Sequence, residues 1–287
     1  MKNKIILGTA QFGMNYGISN SKGKINFIEI IKILDLLKKK KLNFLDTASS
    51  YDLSESEIGK YYLKSKKKFN IITKYTLKNK GDIFKQYEDS IKNLKYKPKV
   101  IMAHSYKDYL DKNFRTSLFK LKKKFKISKI GVSIYNKPEL YSIIKLKTPN
   151  IIQVPCNILD KRFISKDVVE LVNKKKIEIH ARSIFLQGLL FKSKRDIIKK
   201  FKDAKDVIKK LEKLCIKHNL KLWELSLIWA YQKKEIKKLI IGVDTQKQLQ
   251  KNLRTIKKKI NTSLIKEIEK INLNNSKIIK PYLWKKK

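Results

Sequence analysis

Four residues could together run a proton-transfer reaction. Asp46, Tyr51, Lys74 and His104 each fall just where a short apolar run stops, or a few residues beyond. Singly, each has an ordinary structural reading. Asp46 could cap a turn, and Tyr51 is one of 13 tyrosines. Lys74 is one lysine among dozens, and His104 is one of three histidines. Together they supply a carboxylate, a phenol, an amine and an imidazole. A phenol is a weak acid, with a free pKa of about 10. A neighbouring ammonium should lower it, and a carboxylate should keep that ammonium charged and oriented. An imidazole can hydrogen-bond a substrate oxygen and steer the proton. Carbonyl reduction needs this set: hydride to carbon and a proton to oxygen.

Such groups need a scaffold that brings successive chain segments to one place. Apolar, mostly β-branched runs recur at Ile5–Leu7, Phe44–Leu45, Phe69–Thr73, Val100–Ala103, Ile127–Ser133, Ile151–Val154, Ile177–Ala181 and Leu239–Val243. They read as strands buried on both faces of a parallel sheet. Between them lie helical stripes: Ile28, Ile31, Leu34 and Leu37; Phe84, Tyr87, Ile91 and Leu94; Leu118, Leu121 and Phe125; Val168, Leu171 and Val172. One or two more helices fit between Ile208 and Tyr231. Eight strand–helix units in a chain of 287 residues favour a closed (β/α)8 TIM barrel in one domain, 1–287, over an open doubly wound sheet. An open dinucleotide-binding sheet would carry Gly-x-Gly-x-x-Gly after its first strand. This chain has Gly8-Thr9-Ala10-Gln11-Phe12-Gly13 there, with the wrong glycine spacing. The site is therefore expected at the C-terminal ends of the strands.

Composition narrows the classes further. Lys and Arg total 70 against 25 Asp and Glu, a formal charge of +45. The lysines are spread along the whole chain, arginine is scarce, and no zinc-finger or RNP-like motif occurs. With much Ile, Asn, Phe and Tyr and only 9 glycines, this is the composition an AT-rich coding sequence produces. A nucleic-acid-binding barrel is the weaker alternative, and no specific nucleic-acid partner is expected. Cys156 and Cys215 read as buried reduced thiols of a cytoplasmic protein, and no metal site is expected. The apolar run at the amino terminus is too short for a signal peptide, and no stretch has the length of a membrane span. Nothing in the sequence bears on the oligomeric state.

The phrases Leu7-Gly8-Thr9-Ala10-Gln11-Phe12-Gly13, Asp46-Thr47-Ala48-Ser49-Ser50-Tyr51, Thr73-Lys74 and Ala103-His104-Ser105 resemble the aldo-keto reductase family, and their order matches its Asp–Tyr–Lys–His tetrad. The likeness spans essentially the whole chain and extends to members encoded with bacterial surface-sugar pathways. It implies reduction of a small carbonyl substrate, a sugar or sugar derivative among the options. Tyr51 would be the general acid, Lys74 would lower its pKa, Asp46 would pair with Lys74, and His104 would orient the carbonyl. It implies a nicotinamide cofactor, NADP or NAD. Gln11, Ser133 and Gln153 would lie near the nicotinamide, the last two on its carboxamide. Arg182, Ser183 and Gly188 would form the loop beneath the cofactor. Gly242, Asp244, Gln248 and Asn252 would grip the adenosine end.

The chain also departs from the pattern. Arg182 replaces the usual stacking aromatic, and Ile134 replaces an asparagine. Asp244 and Gln248 stand where phosphorylated-cofactor users carry Ser or Thr and then Arg. The Asn15-Tyr16-Gly17 loop is expected at the mouth, and the loop after His104 is short, which suits an open site. Pro281-Tyr282-Leu283-Trp284 either covers the mouth or anchors a helix. Members that bind cofactor without turnover leave a regulatory subunit as the second alternative.

Overall fold

Strands buried on both faces can hide their edges by closing on themselves, and this sheet does so. A computed structural model describes residues 4–18, 20, 23–79, 82–273 and 277–284. The side chain of Tyr282 and the lysines 285–287 lie outside the described residues. The strands are β1 Ile5–Gly8, β2 Phe44–Asp46, β3 Asn70–Tyr75, β4 Val100–Ala103, β5 Lys129–Ser133, β6 Ile151–Pro155, β7 Glu178–Arg182 and β8 Lys238–Gly242. All neighbours are parallel, and β8 pairs with β1 to complete an eight-stranded barrel. Helices alternate with the strands, as in a (β/α)8 barrel. Two helices, Lys205–Lys217 and Leu222–Gln232, fill the segment between Ile208 and Tyr231.

Inside the barrel, alternate residues of the strands make a dry plug: Ile6, Ile72, Val100, Met102, Ile151 and Ile240. Polar groups sit at both ends of it. At the strand starts, Lys129 Nζ meets Glu178 Oε1 at 2.6 Å. At the strand ends lie Asp46, Lys74 and Gln153, all buried. The register puts Gly8 beside Asp46, Lys74 beside Met102, and Ser133 beside Gln153.

The helix Phe27–Lys39 corrects one expectation. It buries Ile30, Ile33, Leu34 and Leu37, while Ile28 is 68% exposed. A strict three-residue step drifts around a 3.6-residue turn, so Ile28 and Leu37 face about 180° apart. The buried set follows the three- and four-residue alternation that holds one face. The tail is an anchor. Trp284 packs on Phe201 with ring centres 5.2 Å apart, and Ile278 and Ile279 join the core. Both cysteines are free and buried. Among the described residues no helix is long and apolar enough to cross a membrane.

One contact ties the barrel to the site. Gly13 ends the short helix Ala10–Gly13 and lies flat on the loop after β2. A Cβ there would stand 1.8 Å from the Tyr51 carbonyl oxygen and 2.6 Å from Ser54 N. Both atoms are backbone, so neither can swing away. Gly13→Ala should cost about 1–3 kcal/mol of stability, as overpacking does. It should also displace Tyr51. Urea unfolding checks the first effect. A variant as stable as the parent would show that the loop yields without strain.

Candidate active site

Asp46 closes β2, and its backbone carbonyl accepts hydrogen bonds from Thr9 N (2.9 Å) and Thr9 Oγ1 (3.1 Å). Ser54 Oγ donates to Thr9 O at 2.9 Å, which ties the far end of the same loop to β1. The loop carrying Tyr51 is thus held at both ends. Asp46 Oδ1 pairs with Lys74 Nζ at 2.5 Å, and Gln153 Nε2 donates to Asp46 Oδ2 at 2.7 Å. Lys74 Nζ also donates to Thr47 O at 2.8 Å and lies 5.3 Å from the centre of the Tyr51 ring. The rings of Tyr51 and His104 meet edge to face, with centres 5.6 Å apart. His104 Nδ1 is 2.9 Å from Ser50 Oγ. The four tetrad side chains therefore converge at one point of the barrel mouth.

A cavity of about 350 Å³ runs from Tyr51 across the strand ends to Asn252. Its walls include Gln11, Asp46, Tyr51, Gln153, Arg182, Ser183, Gly188, Gly242, Asp244, Gln248 and Asn252. Lys74 and His104 are not on that wall and touch it through Asp46 and Tyr51, which are. Ser133 is buried beside Gln153 but is not on the wall, unlike the placement expected of a carboxamide ligand. The Tyr16–Gly17 loop lines the mouth, and Ile18 N donates to Gln187 O at 2.8 Å, joining the loops after β1 and β7. The loop after β7 holds left-handed backbone at Ser183, Leu186, Gln187 and Gly188. Such backbone is costly for side-chain-bearing residues and tends to gather at functional sites. The helix Tyr106–Leu110 starts two residues after His104, so the loop there is short.

One expectation is corrected, and two others gain detail. Tyr51 is not lowered. Burial raises its phenol above the ordinary value, Asp46 adds to the rise, and the Arg182 guanidinium opposes it. Lys74 cannot act as a free cation here, because Asp46 neutralises it at contact distance. Burial itself pushes the Lys74 ammonium down, against the pull of Asp46. Second, the Gln153 amide is committed to Asp46, so its role begins as a support of the ion pair. Third, Arg182 stacks on a side chain of this protein: its guanidinium lies 4.2 Å from the centre of the Tyr135 ring. One of its terminal nitrogens donates to the carbonyl of Ile134, the residue that replaces the asparagine, at 3.4 Å.

Sequence reading assigned no role to Ser50, Tyr135 or Glu29. Ser50 lay inside a quoted motif, but nothing in a linear pattern shows that it reaches His104. Tyr135 follows β5 by two residues and meets Arg182 only because β6 sets β5 and β7 two strands apart in the sheet.

His104 is pushed down to about 3, first by burial and then by Lys74, Arg182 and Lys78. Its ring is therefore neutral across the neutral range. The unfolded imidazole binds a proton below about 6.5 while the folded one does not. Stability from this group is thus lost as pH falls from 6.5 toward 3. In NMR titration the His104 ring, assigned by its absence in His104→Gln, should show no protonation from about pH 7.5 to about pH 5. A midpoint near 6.5 would contradict the geometry.

The family model described as "Aldo/keto reductase family" matches residues 4–273. No curated protein sequence is matched. Two similar solved structures are the aldo-keto reductase AKR11C1 from Bacillus halodurans in its holo form and the thermostable aldo-keto reductase Tm1743 in complex with the inhibitor epalrestat. The first has a TM-score of 0.73 at 17% identity, covering 93% of this chain and 91% of its own. The second has a TM-score of 0.72 at 19% identity, covering 94% and 95%.

Proposed function

This chain belongs to the aldo/keto reductase family, and from that membership and the cavity geometry we propose that it is an NAD(P)H-dependent oxidoreductase reducing an aldehyde or ketone to an alcohol, with Tyr51 as general acid. Residues 1–287 form one such domain on this reading. The observation that carries it is the edge-to-face pair of Tyr51 and His104, backed by the buried Asp46–Lys74 pair, beside a cavity that Tyr51 and Asp46 line.

The residues present fit a dinucleotide. The cavity is lined from Tyr51 to Asn252, and Gly8, Gly188 and Gly242 let backbone approach it. A Cβ on Gly242 would sit 2.6 Å from Gln11 Nε2, so any side chain there would crowd the wall. Asp244, also on the wall, keeps one carboxylate oxygen buried with no hydrogen-bond partner among the described residues. Gln11, Gln153, Ser183 and Arg182 would hold the nicotinamide half. Asp244, Gln248 and Asn252 would hold the adenosine half. When bound, the cofactor supplies the hydride.

The chain supplies the proton and its control. If Ser50 Oγ donates to His104 Nδ1, the ring proton sits on Nε2, where a neutral imidazole can donate to a carbonyl oxygen. The oxygen becomes strongly basic as hydride reaches its carbon. Tyr51 stays protonated through the neutral range because burial raises its phenol, so it has a proton to give. The phenolate that remains lies within the field of the Arg182 guanidinium and beside Lys74, whose charge is shared with Asp46. A sugar or sugar derivative suits a mouth that offers the phenol of Tyr16 and the guanidinium of Arg182.

Tyr51→Phe removes only the hydroxyl. Turnover with a panel of aldehydes, ketones and keto sugars should fall about 10²- to 10⁴-fold. The Kd for cofactor, read by fluorescence titration, should stay within about threefold, since the ring and cavity remain. Unchanged turnover would remove Tyr51 from the acid role. Cofactor bound but never oxidised by the parent protein would favour a regulatory subunit.

A further inference from the structure

We infer that the far end of the cavity is built for an adenosine ribose with a free 2′-hydroxyl, so that the protein binds NADH in preference to NADPH. The inference rests on the nicotinamide-dependent reading above.

Two carboxylates carry it. Asp244 lines the cavity one residue before the N-cap Thr245 of the helix Gln246–Thr255. Its backbone N–H donates to Gln248 Oε1 at 2.7 Å, and Gln248 Nε2 lies 3.4 Å from Asp244 Oδ2. The other oxygen, Oδ1, is buried with no hydrogen-bond partner among the described residues. An unpaired buried acceptor calls for a donor. A ribose hydroxyl is a donor, whereas a phosphate oxygen is another acceptor. Burial raises the Asp244 carboxyl, and a protonated carboxyl would still bond a hydroxyl.

The second carboxylate is Glu29, from the helix after β1. Helix N-termini commonly bind phosphate through their free amides and their dipole. At this one, Gln246 N already donates to Glu29 Oε1 at 2.6 Å, and Gln248 N donates to Thr245 Oγ1 at 3.1 Å. The amide that would greet a phosphate is held by an anion of the protein. A phosphate at this helix start would compete with Glu29 for the Gln246 amide and would meet the carboxylate of Asp244 on the cavity wall. The cations at hand are differently engaged. Lys251 lines the cavity with its ammonium 5.0 Å from the centre of the Trp223 ring, and Lys32 is 4.0 Å from Glu29. Lys251 remains able to meet the pyrophosphate that both cofactors share.

Fluorescence titrations of the full chain with NADH and NADPH, at one ionic strength, test this without turnover. The parent should bind NADH about tenfold more tightly or better. Asp244→Ser should weaken NADH several-fold, strengthen NADPH, and so narrow or invert the ratio. Glu29→Gln should strengthen NADPH alone, with the fold of each variant checked by its thermal midpoint. NADPH bound as tightly as NADH by the parent, or a ratio unmoved by either substitution, would overturn the inference and leave the reductase reading standing. Binding of neither cofactor would overturn that reading and this inference with it.

Discussion

The Asp46–Lys74 ion pair is the constraint on which the rest of the site depends. It is buried on both sides, with side-chain exposures of 4% and 1%. Taking two charges out of water is expensive, and the attraction repays it only when the leftover hydrogen-bonding capacity is met. Here it is met closely. The second oxygen of Asp46 accepts from Gln153, and a second N–H of Lys74 goes to the carbonyl of Thr47. Removing either partner would strand the other charge, a loss of about 3–5 kcal/mol in buried pairs. The pair thus locks the ends of β2, β3 and β6 in one arrangement.

What surrounds the pair sets the protonation of its neighbours. The apolar plug of Ile6, Ile72, Val100, Met102, Ile151 and Ile240 lies beneath it and excludes water. In that setting a phenol resists ionising and an imidazole resists protonation, as Tyr51 and His104 do. The same burial therefore prepares both residues in the neutral form: one still has a proton to donate, and the other can bond a carbonyl without carrying charge. The lysine contributes less by lowering the phenol in the resting protein than by standing close to the anion formed when the proton leaves. Arg182, braced on Tyr135, is the cation that already acts on the phenol.

Most of the barrel was legible because burial on both faces leaves runs of Ile, Val and Leu, and eight such runs survive in order. Their boundaries shifted by a residue or two: β7 starts at Glu178 and β8 at Lys238. Helix ends were harder to read. The left-handed residue that stops a helix is commonly glycine, which announces itself in a sequence. Here Lys41, Lys66, Lys95, Lys126 and Lys176 take that conformation at or just past helix ends. A lysine there looks like any other of the 70 basic residues. In the site, the four tetrad positions could be read because each follows a strand. Their supports could not. Ser50 reaches His104 across 54 positions, Gln153 reaches Asp46 across 107, and Glu29 reaches Gln246 across 217. Only the assembled sheet, and for Glu29 its closure through β8 and β1, makes those pairs.

The charge of the molecule and the charge of its cavity are separate matters. A formal +45 creates a field that draws in anions of any kind. At physiological salt such a field is screened beyond about 8 Å, and what remains draws the more highly charged phosphorylated dinucleotide more strongly. Selection between them is made at contact distance, where hydrogen-bond donors and acceptors must match and burial strengthens each charge. There the chain places Asp244 on the cavity wall and Glu29 on the first amide of the adjoining helix, two of its 25 acidic residues. In a protein so rich in lysine, acidic groups gathered beside a cavity are the locally unusual feature, and they act where the bulk charge has least power to discriminate.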